Sequence, residues 1–290
     1  MNQAHVLATG PLATVQDLGR GGHAHLGVPR SGGADRGALR LANRLVGNPE
    51  SAAVIEVTLG GLRLRAAQRL LAAVTGAVGQ VTANGRPVGI GARIELPAGA
   101  ELSVGFPESG CRSYVAIRGG VDVPPVLGSR STDILSGLGP PPLAAGDVLD
   151  IGAPQADLPP VALAPVDTRR DRVITLDMFD GPRRDLLAEP ACLVTGVWEV
   201  GADSNRVGVR LSRPAGATEA PARHRSDAGE LASEGLAHGA VQVPPTGNPV
   251  IFLADHPVTG GYPVAGVLTA RSLDAAAQLV AGSLIRFRDR

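Results

Sequence analysis

Glycine and proline punctuate this chain so densely that long regular elements have little room: 39 glycines and 24 prolines stand among 290 residues. Glycine inside an element costs more backbone entropy than any other residue, and proline removes a backbone donor. Interruptions at this frequency suit short strands joined by tight turns. Hydrophobic residues reach 44% and charged residues 19%, the balance of a globular chain rather than a disordered one. Aromatics contribute only 2%, so the cores must be built from Val, Leu, Ile and Ala. The length suits two domains or one large β domain.

Charge excludes several functions. Acidic and basic residues cancel at 27 each, and reading along the chain every basic residue is arginine. A neutral balance without aromatic platforms argues against nucleic-acid binding. Without lysine there is no Schiff base, no lysine general base and no Walker-type phosphate lysine. Anions must then be met by arginine, backbone amides or a metal. Cys111 and Cys192 form no CxxC pair, so neither a zinc site nor a disulfide framework follows, and a reducing compartment is expected. The opening MNQAHVLATGPLATVQD lacks a signal-peptide pattern, and no apolar run approaches the ~18 residues of a membrane helix. The expectation is a cytoplasmic protein without membrane contact.

Along the chain, residues 10–33 form a glycine-rich opening that matches neither a P-loop nor a strand-flanked dinucleotide fingerprint. His23 and His25 alternate as a strand would present them, a weak metal signal without a third ligand. The spacing of Ala34, Ala38, Leu41, Ala42 and Leu45 predicts a helix over 34–46, capped by Ser31 or Asp35 and stopped at Gly47-Asn48-Pro49. Arg36 and Asn43 are expected on its solvated face. Val54–Leu59 reads as a strand with Glu56 on the wetter side. Further strands are expected at 71–75, 93–96, 101–105, 113–118, 148–151, 173–176 and 283–288. PAGAELSVG (97–105), AAGDVLDIG (144–152) and VAGSLIRFR (280–288) repeat one pattern, a glycine turn entering a strand, consistent with two related β-barrels. A short helix is expected from Asp180 and Pro182 through 187, and another over 272–280. The proline-rich stretch 156–172 is expected to link an N-terminal domain, 1–155, to a C-terminal one, 173–290.

Two stretches carry groups suited to recognition. The first, YVAIRGGVDVPPVLGSRSTD (114–133), sets Arg130 beside Ser131 and Thr132, a combination that can hold an anion. The second, AVQVPPTGNPVIFLADHPVTGGYP (240–263), has a buried strand at 249–254. It is followed by Asp255 and a loop with Thr259, Gly260, Gly261 and Tyr262. Adjacent glycines let a backbone approach a ligand closely.

Six ordered motifs, TVQDLGR (14–20), GVPRSGGAD (27–35), LANRLVGN (41–48), GGVDVPPVLGSRST (119–132), SNRVGVRL (204–211) and VQVPPTGNP…DHPVTGGYP (241–263), resemble the KipA/PxpC family. Its members are the C subunits of the bacterial ATP-dependent 5-oxoprolinase, also called allophanate hydrolase subunit 2. The same module forms half of the carboxyltransferase region of urea carboxylase. The resemblance covers nearly the whole chain. It implies a mostly β protein with two cyclophilin-like β-barrel domains and a few short helices. It also implies a KipI/PxpB-like partner and a LamB/YcsF-type third subunit. Together they would open the lactam of 5-oxoproline to glutamate at the expense of ATP. Arg20, Arg130 and Arg206 lie in the shared motifs and would supply cations to developing charge. Asp17, Asp35 and Asp255 would orient water, a metal or the substrate amide, and Gln242 and Tyr262 would bind a carboxylate or amide edge. Asn205 replaces a usual aspartate, and GLGPPP (137–142) replaces a more glycine-rich segment. Two other roles stay open. One is a carboxyltransferase half acting on urea or a small amide, with biotin on another chain. The other is a non-catalytic protein that sequesters a KipI-like kinase inhibitor.

Overall fold

The structure is a computed structural model that describes residues 2–166 and 171–290. Two compact units make up the chain. One is built on residues up to 20 with 31–133 and the segment beginning at 137, the other on 21–30, 134–136 and 171–290. Within the expected linker, residues 167–170 lie outside the described residues. Its earlier part is held by strand-type contacts of the first unit, with Arg93 N–H donating to Ala162 O at 2.9 Å and Ala92 bridging Leu163.

The first unit is a nine-stranded antiparallel sheet. Its strands are β1 (Asn2–Thr9), β2 (Leu12–Gln16), β3 (Val54–Thr58), β4 (Leu62–Ala66) and β5 (Leu70–Ala83). They continue with β6 (Arg86–Val88), β7 (Arg93–Leu96), β8 (Glu101–Ile117) and β9 (Val148–Ile151). The main path runs β2-β3-β8-β4-β1-β9, with β5 pairing β6, β7 and β8. The two strands expected at 101–105 and 113–118 are one long element, β8. Its start pairs with β4, Leu102 opposite Leu64, and its end with β3, Val115 opposite Ile55. One sheet face closes over Ile55, Val57, Leu102, Val115 and Ile117. Helix α1 (Arg36–Leu45) covers the other, packing Leu39, Ala42 and Leu45 on Val54 and Tyr114. Asp35 caps it, its carboxylate accepting from Ala38 N–H at 2.8 Å.

That second layer overturns two expectations. Glu56 is not on a wet face: it is buried, because α1 roofs the side it shares with Val54. Asn43 is buried too, not solvated. Its amide donates to Ala52 O at 2.8 Å, and its carbonyl oxygen accepts from Asn48, which locks the turn after the helix.

The second unit contains a closed seven-stranded barrel, in the order β10-β17-β14-β15-β12-β11-β18. Here β10 is Val173–Asp180, β11 Trp198–Val200, β12 Gly208–Ser212, β13 Glu234–Gly235, β14 Ala240–Gln242, β15 Val250–Phe252, β16 Thr259–Gly260, β17 Val264–Leu268 and β18 Leu284–Asp289. Closure comes from β10 lying parallel to β18, Val173 opposite Leu284. Trp198, Leu176, Ile251, Ile285 and Phe287 fill the interior. β13 and β16 form a separate two-stranded ladder. Helix α2 (Ala270–Ala276) starts at Thr269, earlier than expected. The glycine turns that enter β8, β9 and β18 share one geometry: Gly99, Gly146 and Gly282 have φ of 78°, 99° and 80°.

Two local expectations fail in this unit. Residues 180–187 do not form a helix capped by Asp180. β10 continues through Asp180, and only a 3-10 turn follows at Arg184–Leu186. The N–H groups of Gly181 and Arg183 are spent on Ala265 O and Val264 O, both at 3.1 Å, which keeps the chain on the sheet. His23 and His25 do not alternate on a strand; they flank and enter the 3-10 turn Ala24–Leu26. Among the described residues no helix is long and apolar enough to cross a membrane.

Candidate functional site

In the first unit the sequence-predicted residues gather where β2 ends. Asp17 is 8% exposed, and its carboxylate is saturated with donors. Ser129 Oγ, Ser131 Oγ and the Arg130 N–H donate to it at 2.6 Å each, and the Gly19 N–H at 2.7 Å. A carboxylate so held organises a loop: it ties 129–131 to the end of β2. Arg20, also buried, donates Nη2 to Ser131 O, while its Nη1 has no hydrogen-bond partner among the described residues. Gly139 allows this approach. At φ +90°, a Cβ there would stand 2.0 Å from Ser131 O and 3.1 Å from Arg20 Nη2. The Arg130 side chain turns away from this group. It pairs with Asp122 at 2.9 Å and donates to Val123 O at 2.8 Å, with both charged groups substantially exposed.

Asp35 belongs to a different cluster. Its N–H donates to Tyr114 Oη at 2.7 Å, and that hydroxyl donates to Glu56 at 2.9 Å. Glu56 also accepts from Ala34 N–H at 2.9 Å and stands 3.6 Å from Arg112 Nε. Burial, then the nearby charges of Glu56 and Asp35, push the Tyr114 hydroxyl well above its ordinary range, so it acts as a neutral donor. Sequence reasoning puts Glu56 on the wetter face, a general-base candidate only if that face lines a cleft, and misses its burial. The available signal was a carboxylate in a strand whose other residues are all apolar or β-branched, a sign that both faces are covered.

In the second unit Arg206 and Asp255 form a buried bidentate pair, Nε to Oδ2 at 2.8 Å and Nη2 to Oδ1 at 3.0 Å. Their side chains are 1% and 0% exposed. The Asp255 carboxylate also accepts from Ile134 N–H at 3.1 Å. Asn205 accepts from Val207 N–H at 2.8 Å and closes the turn before β12. Gln242 is buried and donates Nε2 to Tyr262 O at 2.9 Å, so it supports the 259–262 loop from behind. Thr259 and Gly260 form β16 against Glu234 and Gly235. Gly261 and the half-exposed Tyr262 line a hollow of about 130 Å³. A larger hollow of about 580 Å³ in the first unit contains none of the predicted residues. Its charged groups are spent on one another, Arg69 with Glu95, or on carbonyls, Arg93 with Pro159 O.

The chain thus brings together Asp17, Arg20, Ser131 and the Arg130 amide in one unit. In the other it joins Arg206 with Asp255, and Gln242 with the glycine loop. Asp35 and the Arg130 guanidinium stand apart from these groups.

Comparison with known proteins identifies the family. A family model described as carboxyltransferase domain, subdomain A and B, matches residues 26–289. The C subunit of the Escherichia coli K12 5-oxoprolinase is 34% identical over 285 residues, covering 97% of this chain and 89% of that one. The urea amidolyase of Lachancea kluyveri is 34% identical over 97% of this chain but only 16% of its own length. Among solved structures, TTHA0988 superposes with a TM-score of 0.88 at 34% identity, covering 99% of this chain and 55% of that one. The Kluyveromyces lactis urea amidolyase gives 0.87 at 33% identity over 98% of this chain and 18% of that one.

Proposed function

Because the chain belongs to the family of carboxyltransferase domains, subdomain A and B, we propose that it serves as the C subunit of a 5-oxoprolinase, acting with other subunits to hydrolyse the lactam of 5-oxoproline to glutamate. One observation carries this reading: the similarity to the C subunit of the E. coli enzyme runs through 97% of this chain and 89% of that one. The urea amidolyases match through a small part of their own length, 16% in each case.

The buried polar groups support a positioning role. The Arg206–Asp255 pair and the Asp17 hub are buried and fix their loops through side-chain and backbone hydrogen bonds, as a preorganised site requires. Nucleotide fits the chain's own residues poorly. Arg206 is neutralised by Asp255, Arg130 by Asp122, and no lysine is present to hold a phosphate. ATP therefore belongs with a partner in this reading. The partners are a KipI/PxpB-like subunit and a LamB/YcsF-type subunit.

Reconstitution tests the proposal. The three subunits together should release glutamate from 5-oxoproline in proportion to ATP consumed, and omission of this chain should abolish release. A stable complex that never turns over 5-oxoproline would sink it and favour a sequestering role.

A further inference from the structure

The 130 Å³ hollow beside Tyr262 contains a titratable group that none of the roles above employs. His224 lines it, and its Nε2 lies 2.8 Å from Val243 O. A carbonyl oxygen only accepts, so Nε2 carries the hydrogen, and in the neutral ring Nδ1 becomes the acceptor. No described residue donates to Nδ1, and it is not among the buried polar atoms left without a partner. The ring therefore presents a fixed acceptor of known tautomer.

The residues at the end of β14 hold both sides of this hollow. Val243 O fixes the imidazole, Val243 N–H donates to Pro263 O at 2.9 Å, and the Gln242 amide donates to Tyr262 O at 2.9 Å. The imidazole and the glycine loop are thus set by two consecutive residues, a preorganised arrangement. Leu186, Leu231, Pro245 and Pro263 supply apolar wall, and Glu230 stands at an exposed position. At about 130 Å³ the space is well below that of a drug-sized pocket.

We propose that this hollow is a subsite for a small cyclic amide, whose ring methylenes lie on the proline and leucine walls and whose N–H donates to His224 Nδ1. The inference rests on the reading of the chain as part of a 5-oxoprolinase and adds a binding residue to it.

Two measurements decide it. In the reconstituted complex, His224→Gln keeps a nitrogen donor where Nε2 stands, and with it the bond to Val243 O, but removes the Nδ1 acceptor. KM for 5-oxoproline should rise about tenfold or more while KM for ATP and the unfolding midpoint stay put. His224→Asn, which restores an amide group near the Nδ1 position but cannot reach Val243, should recover part of the KM and lose stability. An unchanged 5-oxoproline KM in His224→Gln overturns the subsite even if the complex is fully active. Independently of turnover, the ¹⁵N imidazole resonances of His224 in the wild-type chain are titrated with 5-oxoproline, 2-pyrrolidinone and urea. Saturable shifts with the two lactams support the assignment. No shift, or a shift with urea alone, rejects it. A silent complex with lactam-dependent shifts would fault the function proposed for the assembly while leaving the subsite standing.

Discussion

At the scale of single residues, two arginines from similar motifs have opposite fates. Arg206 is buried against Asp255, whereas Arg130 is paired with Asp122 near solvent. Removing one partner of a buried pair leaves an uncompensated charge and costs about 3–5 kcal/mol; an exposed pair contributes about 0–1 kcal/mol. Urea unfolding should therefore show Asp255→Asn destabilised by ~3 kcal/mol or more and Arg130→Ala nearly unchanged. Equal midpoints for the two variants would refute the assignment of Arg206–Asp255 as a buried structural pair. The cysteines offer a second check. Burial pushes both the Cys111 and Cys192 thiols up from their ordinary range, so less thiolate is present at a given pH. Alkylation of the native protein at about pH 8, near the ordinary thiol range, should be much slower than in denaturant. None of this was legible from spacing. Arginine and aspartate in a motif look the same whether they meet each other or a ligand, and only burial and partners separate the cases.

Elements bring in pH and backbone strain. The barrel is closed by β18 along β10, and Asp177 on β10 accepts from Arg288 at 2.6 Å and from Arg290 at 2.6 Å. Those hydrogen bonds, Arg288 first, lower its carboxyl to about 2. A depressed carboxylate contributes stability above its unfolded value, about 4, and loses it as pH falls through the folded one. The thermal midpoint should accordingly drop between about pH 4 and 2, and Asp177→Asn should flatten the slope in that window. If wild type and variant track each other there, the seam is not held this way. Gly139 is the second test at this scale. Alanine there would meet Ser131 O and adopt φ +90°, costing about 1–3 kcal/mol and loosening the loop around Arg20. The α1 cap, the turns entering β8, β9 and β18, and most strands were readable because they rest on local chemistry. The failed helix at 180–187 shows the limit. Asp180 and Pro182 are sound start signals, yet the N–H groups of Gly181 and Arg183 found a better partner across the sheet on β17.

For the molecule as a whole, the neutral charge balance and the absence of lysine set what the chain can contribute to an assembly. Supplied alone with 5-oxoproline and ATP it should produce no glutamate, because Arg206 is committed to Asp255 and no lysine is present to hold a phosphate. Incubation with biotin, ATP and a biotin ligase should leave it unlabelled on a streptavidin blot. Turnover by the isolated chain would overthrow the multi-subunit reading.

Composition and local turn chemistry alone dictated a mostly β protein, arginine in every position that lysine could share, and loops rich in glycine beside aspartate. Those follow from properties each residue carries wherever it stands. Tertiary structure alone decided that Glu56 lies under a helix, that Asp255 is neutralised by Arg206, and that Val243 sets the tautomer of His224. Each depends on desolvation by residues far along the chain, or on a donor meeting an acceptor across strands, and no local pattern records either.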